Sequence, residues 1–216
     1  MNVSKNFIIL VNLKYNQKSV IEFISRCDEY KLLEQLIITI PKLDYPIENH
    51  KCKLAVHSDV FYPKFQKIDY FLVNDFLNLS KDIKEIKSQR IKHIITKKNS
   101  VIFLGERLEQ KVDGLLLHTI INQLNSISKL IEKKKWKNIV LVYKPANNKI
   151  NIQIIENVHL NIRKWIKHNI SDEISNNIKI IYGGKITLKN YEDITNNLNI
   201  DGIHLEDDIV FDNLIK

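Results

Sequence analysis

Ile139-Val140-Leu141-Val142-Tyr143 is an unbroken apolar run with no polar residue at alternate positions. A strand that faced water on one side would alternate, so this run reads as a strand covered on both faces, the habit of parallel sheets. Seven other short strand-like runs, most of them also continuous and apolar, lie at 7–11, 36–40, 53–56, 70–73, 101–104, 178–182 and 202–205. Between them lie amphipathic stretches with apolar residues at helical spacing. The stretch 17–30 places Val20, Ile21, Phe23, Ile24 and Cys27 on one side, and 80–96 does the same with Ile83, Ile86, Ile91, Ile94 and Ile95. Longer helices are expected over 115–134 and 152–169, and Thr187 is placed to cap a helix over 188–198. Eight strands with helices between them predict a (β/α)8 barrel, with a doubly wound open sheet as the alternative. The connections at 45–51 and 61–66 are too short for full helices, so the barrel is expected to be trimmed after strands 2 and 3.

Composition bounds the rest. The chain has 216 residues, 44% of them hydrophobic, which suits one globular domain over 1–216 and excludes disorder. Five glycines and four prolines exclude collagen-like and low-complexity sequence. Cys27 and Cys52 are too few for a disulfide framework or a zinc-ligand set, so a reducing compartment is expected. The run Phe7-Ile8-Ile9-Leu10-Val11 is too short for a secretory or membrane-spanning segment, which points to a soluble, cytoplasmic protein. The net charge of +8 is spread along the chain. Its densest run, Lys133-Lys134-Lys135-Trp136-Lys137, is expected at a helix end, where cations complement the helix dipole. A solvated lysine-rich surface is therefore favoured over nucleic-acid binding.

Several motifs fall in a recognisable order. Phe7-Ile-Ile-Leu-Val-Asn12-Leu-Lys14-Tyr-Asn16 resembles the Asn-Trp-Lys-Met-Asn first strand of the triosephosphate isomerase family. Val101-Ile-Phe-Leu-Gly105-Glu106-Arg-Leu108 looks like its fifth strand, and Val142-Tyr143-Lys144-Pro145 its sixth-strand Tyr-Glu-Pro. Val158-His159 through Arg163-Lys164-Trp165-Ile166 resembles the next helix. Tyr182-Gly183-Gly184-Lys185 is similar to the seventh-strand Tyr-Gly-Gly-Ser, and Asp201-Gly202 to the start of the eighth. The resemblance spans nearly the whole chain. It implies a TIM barrel with its site at the C-terminal strand ends.

That family moves a proton between neighbouring carbons of a triose phosphate, using a glutamate base, a neutral histidine electrophile and a closing loop. The resemblance implies that Asn12 and Lys14 are retained, Lys14 facing a developing oxyanion. It puts Asn74 at the histidine position and Phe76 at a glutamate position. An asparagine amide donates a hydrogen bond but cannot shuttle a proton. Lys144 stands at the base position, and a lysine, ordinarily protonated at neutral pH, cannot accept one. His57 and His93 read as ordinary core or surface histidines. The lid is cut to 146–151 and has lost its tryptophan and glycine hinge. Gly183, Gly184 and Lys185 keep half of the phosphate cradle, while Glu206-Asp207-Asp208 replaces the eighth-strand glycine pair with carboxylates. The shortened 57–63 loop leaves no arm for the usual dimer, so a monomer or an altered dimer is expected.

The expected function is a degenerate triosephosphate isomerase homologue, impaired or inactive. It would bind at most a small phosphorylated ligand and need neither cofactor nor metal. The alternatives are residual interconversion of glyceraldehyde 3-phosphate and dihydroxyacetone phosphate in glycolysis, and a non-catalytic binding module. Lys144 as a carbonyl nucleophile of the class I aldolase kind is a further alternative.

Overall fold

The computed structural model describes residues 7–13, 17–27, 36–40, 47–48, 50–57, 67–74, 85–146, 151–206 and 211–212. The eight apolar runs are the eight strands: β1 Ile8–Asn12, β2 Leu36–Thr39, β3 Lys53–His57, β4 Tyr70–Val73, β5 Asn99–Leu104, β6 Ile139–Tyr143, β7 Lys179–Tyr182 and β8 Gly202–Leu205. They are parallel and close in sequence order. β1 pairs with both β2 and β8, which rules out the open-sheet alternative.

Alternation along each strand divides its side chains between two apolar layers. Leu10, Ile37, Ala55, Leu72, Phe103, Val142 and Ile181 fill the barrel interior. Their neighbours Val11, Ile38, Val56, Val73, Leu104, Tyr143 and Tyr182 point outward and pack under the helices. Both faces are dry, and this is why the runs are continuous.

The described helices are α1 Gln17–Cys27, α2 Glu85–Lys97, α3 Leu108–Val112, α4 Leu116–Ser128, α5 Ile152–Asn169, α6 Asp172–Asn177 and α7 Tyr191–Thr195. Two depart from expectation. The helix expected over 115–134 stops at Ser128, and Lys133–Asn138 forms a separate 3-10 turn. The cause is Trp136. It lies about half a turn out of phase with Ile127, so a continuous helix would turn the indole to solvent. The 3-10 turn buries it completely, 6.0 Å from the Trp165 ring. The lysines of 133–137 thus surround a buried tryptophan and do not end a helix. The helix expected over 188–198 shrinks to α7, and Thr187 does not cap it. Instead, the Asn190 side chain accepts from the Thr187 amide (2.8 Å) and donates to the Lys185 carbonyl (3.1 Å). An asparagine that closes a local turn in this way competes with helix. Leu188 and Leu198, 64% and 97% exposed, have no core contact to extend it. After β2 and β3, residues 47–48, 50–52 and 67–69 are not helical. The remaining residues of those two connections lie outside the described ones.

The β7–β8 seam is thin, with only Tyr182 and Ile203 paired. Asp201 reinforces it. Its amide donates to the Ile180 carbonyl (3.0 Å), and its carboxylate accepts from the Ile180 amide (2.8 Å). The same carboxylate pairs with Arg163 of α5, whose guanidinium also donates to the Ser175 and Ile178 carbonyls. One arginine therefore ties α5, α6 and the seam together.

Candidate functional site

The alternation that fills the interior also decides what lines the C-terminal mouth. Two residues beyond Leu10, Ile37, Ala55 and Leu72 come Asn12, Thr39, His57 and Asn74. Beyond Phe103, Val142 and Ile181 come Gly105, Lys144 and Gly183. On β8 the inward residue is His204, whose ring meets Phe103 edge-on at 5.2 Å, and Glu206 follows it. The mouth is thus ringed by polar side chains and two glycines above an apolar plug.

Two polar pairs form across this ring. Asn74 Nδ2 lies 3.3 Å from His57 Nδ1, a hydrogen bond that the amide donates when Nδ1 carries no proton. His57 is therefore a mouth residue and not the ordinary histidine expected; its place two residues after Ala55 was the available signal. The second pair is Lys144 Nζ and Glu206 Oε1, 2.7 Å apart. Lys144 is fixed at its root by its amide, which donates to the Leu104 carbonyl at 2.7 Å. The pair spans from the end of β6 to the end of β8 over Gly183, so Glu206 faces the mouth. Both side chains are partly exposed, which keeps the pair's contribution to stability small.

On the β1–β2 side, Asn12 is half-buried and Thr39 is buried. The Thr39 hydroxyl finds no hydrogen-bond partner among the described residues. On the β7 side, the Gly183 amide donates to the Tyr143 carbonyl at 2.8 Å. A side chain at Gly183 would meet Val142 at 2.6 Å, and one at Gly184 would meet the Tyr182 hydroxyl at 2.0 Å. Packing alone therefore demands both glycines. Lys185 is exposed and forms no ion pair among the described residues.

Behind the mouth sits Glu106, buried at 5% exposure. It accepts from the Tyr143 hydroxyl (3.3 Å) and from the Ala146 amide (3.2 Å). Burial, and next the Glu106 charge, push the Tyr143 phenol well above its usual range; the same causes in the same order push Tyr182 up to about 12. Glu106 thus anchors the Lys144-Pro145-Ala146 turn from behind and does not face the mouth. Sequence reasoning matched Glu106 to a motif but gave it no partner.

Lys14, Asn16, Asp75, Phe76, Asp207, Asp208, the 147–150 part of the lid and the 58–63 loop lie outside the described residues. Among those described, no three His, Cys, Asp or Glu side chains gather as a metal site, and Cys27 and Cys52 are buried free thiols. No helix among them is long and apolar enough to cross a membrane. Chemically, the described mouth offers neutral hydrogen-bond donors and a self-neutralised ion pair. The one carboxylate in it already has a cation.

Residues 78–206 match the triosephosphate isomerase family model. The Aspergillus oryzae triosephosphate isomerase is 28% identical to the chain over 229 residues, covering 92% of this chain and 91% of the relative. The Emericella nidulans enzyme is 34% identical over 128 residues, or 56% of this chain and 51% of the relative. The Neurospora crassa enzyme is 31% identical over 124 residues, or 55% and 49%.

Proposed function

The chain belongs to the triosephosphate isomerase family, and from that premise we propose that it is a degenerate member that has lost the isomerase reaction. The observation that carries this reading is the 2.7 Å ion pair between Lys144 and Glu206. The family's base must be a carboxylate free to take a proton from carbon. Here the base position holds an ammonium. The nearest carboxylate in the mouth, Glu206, is bound to that ammonium and stands where a phosphate would rest. The electrophile position holds Asn74, which can polarise a carbonyl by donating a hydrogen bond but cannot carry a proton through the cycle. Positioned acid–base groups contribute about 10²–10⁴-fold each, and coupled losses do not simply multiply.

Under this reading the protein is a cytoplasmic pseudoenzyme that binds a small phosphorylated ligand weakly. It is a monomer or an altered dimer, because the loop at 57–63 is short. Coupled isomerase assays on purified protein, made in a host lacking its own isomerase, test the reading. Turnover indistinguishable from buffer is expected. Saturable turnover of glyceraldehyde 3-phosphate that disappears in Asn12→Ala would overturn it.

A second reading, a residual isomerase working in glycolysis, is favoured by one observation. Asn12 and the Gly183-Gly184 pair keep their places at the mouth. It requires weak but saturable turnover, and the same assay separates the two.

A further inference from the structure

The end of the barrel opposite the mouth holds a cavity of about 220 Å³. It lies at the N-terminal ends of β1, β4, β5, β6 and β7, with α6 as one wall. In this fold activity sits at the other end, and the bottom ordinarily serves stability. Among the described residues this end keeps an open cavity over its apolar floor.

The floor is apolar, formed by Ile8 and Val140 from the strands and by Ile174 and Ile178 from α6 and the residue after it. The rim carries Tyr70, Asn99, Lys137, Asn138, Glu173 and Lys179. Among the described residues, the side chains of Asn99, Lys137 and Asn138 have no hydrogen-bond or ion-pair partner. Burial, with Asp69 adding to it, pushes the Tyr70 phenol up, so it remains a donor at neutral pH. Lys179 has one neighbour, Asp201 Oδ1, at 3.8 Å. That carboxylate already holds Arg163 more closely and accepts the Ile180 amide. Most of the Lys179 charge is therefore left for the cavity. Of the charged side chains lining the cavity, two are ammonium groups and one, Glu173, is a carboxylate; Asp69, whose charge reaches Tyr70, stands behind the rim. Polar and cationic side chains around an apolar floor are the chemistry of a small-molecule site.

We propose that this cavity binds a small amphiphilic monoanion. The ligand class is a carboxylate on a short branched hydrocarbon, its head toward Lys137 and Lys179 and its body on Ile8, Val140, Ile174 and Ile178. At about 220 Å³ the cavity suits a small ligand and not a drug-sized one. Glu173 disfavours dianions, which separates this site from a phosphate site.

Isoleucine-methyl NMR on the full chain, titrated with 4-methylpentanoate, tests the proposal. Saturable shifts are expected at Ile8, Ile174 and Ile178. Lys137→Ala and Lys179→Met should each weaken binding about tenfold. Lys137 is exposed, so its variant keeps the test decisive if Lys179→Met fails to fold. The neutral 4-methylpentanamide should bind at least tenfold more weakly, and inorganic phosphate should not compete. Absence of saturable shifts at these methyls overturns the site. Equal binding of the amide overturns the anion preference, and competition by phosphate overturns the amphiphile.

Discussion

Replacing Glu206 with glutamine should make the mouth a better phosphate site and a slightly less stable structure. Glu206 Oε1 lies 2.7 Å from Lys144 Nζ, with the two side chains 53% and 39% exposed. A pair this wet contributes about 0.2–1 kcal/mol, so E206Q should lower unfolding stability by less than about 1 kcal/mol. Its effect on a bound anion is larger. The repulsion is gauged for a phosphate over Gly183 and Gly184 at about 5 Å from the Glu206 carboxylate, the range of neighbouring charges in one site. With water-like screening each unit of charge there is repelled by about 0.8 kcal/mol, so a dianion is repelled by about 1.7 kcal/mol. Removing that repulsion should tighten binding roughly twentyfold, before counting the release of Lys144 to meet the phosphate. Calorimetric titration of wild type and E206Q with 2-phosphoglycolate, at low and high salt, measures this. The gain should shrink as salt rises. Unchanged affinity at low salt would show that the ion pair does not guard the mouth, and the account of Glu206 as the feature excluding phosphate would fail.

Other outcomes follow from the network behind the mouth. Asp201→Asn leaves the Arg163 guanidinium partly buried without its counter-charge; a loss of about 2–3 kcal/mol is expected, read as a melting point lower by about 5–10 °C. His159 is wholly buried, and burial is the main cause holding its imidazole down to about 4. Below about pH 6.5 the unfolded chain takes a proton that the folded chain refuses until about pH 4. Stability should therefore fall with pH across that window, by up to about 3 kcal/mol, and urea midpoints should fall less steeply in His159→Gln. Gly184→Ala would drive a methyl into the buried Tyr182 ring and Pro145; a cost of about 1–3 kcal/mol in urea unfolding is expected.

The strands were legible because a barrel wall is dry on both sides, and a run such as Ile139 to Tyr143 has few other uses. The family motifs were legible in part because Gly183-Gly184 and Asp201 are required by local geometry. The helix ends were less so. Trp136 breaks the phase of its helix, and Asn190 closes a turn where Thr187 offered a cap; both depend on where the core lies. The site's polar pairs were hardest to foresee. Lys144 and Glu206 are 62 residues apart, and Glu106 and Tyr143 are 37 apart. Nothing local marks either partner for the other. His57 was overlooked because a histidine is read by its neighbours in sequence, whereas its meaning here comes from the pleat.

The thin seam between β7 and β8 makes one side chain part of the backbone ladder. Asp201 takes the hydrogen bond that a further strand residue would otherwise supply to the Ile180 amide. β8 is held along four paired positions on β1 but at only one on β7. The barrel therefore has a slit, and the slit is where the cylinder would first part in local unfolding. Glu206 sits at the far end of the strand on one lip, and Lys144 belongs to β6 beyond the other. Any breathing of that slit pulls the two charges apart, so slow amide exchange at Ile180 and Ile203 would report how often the mouth loses its ion pair.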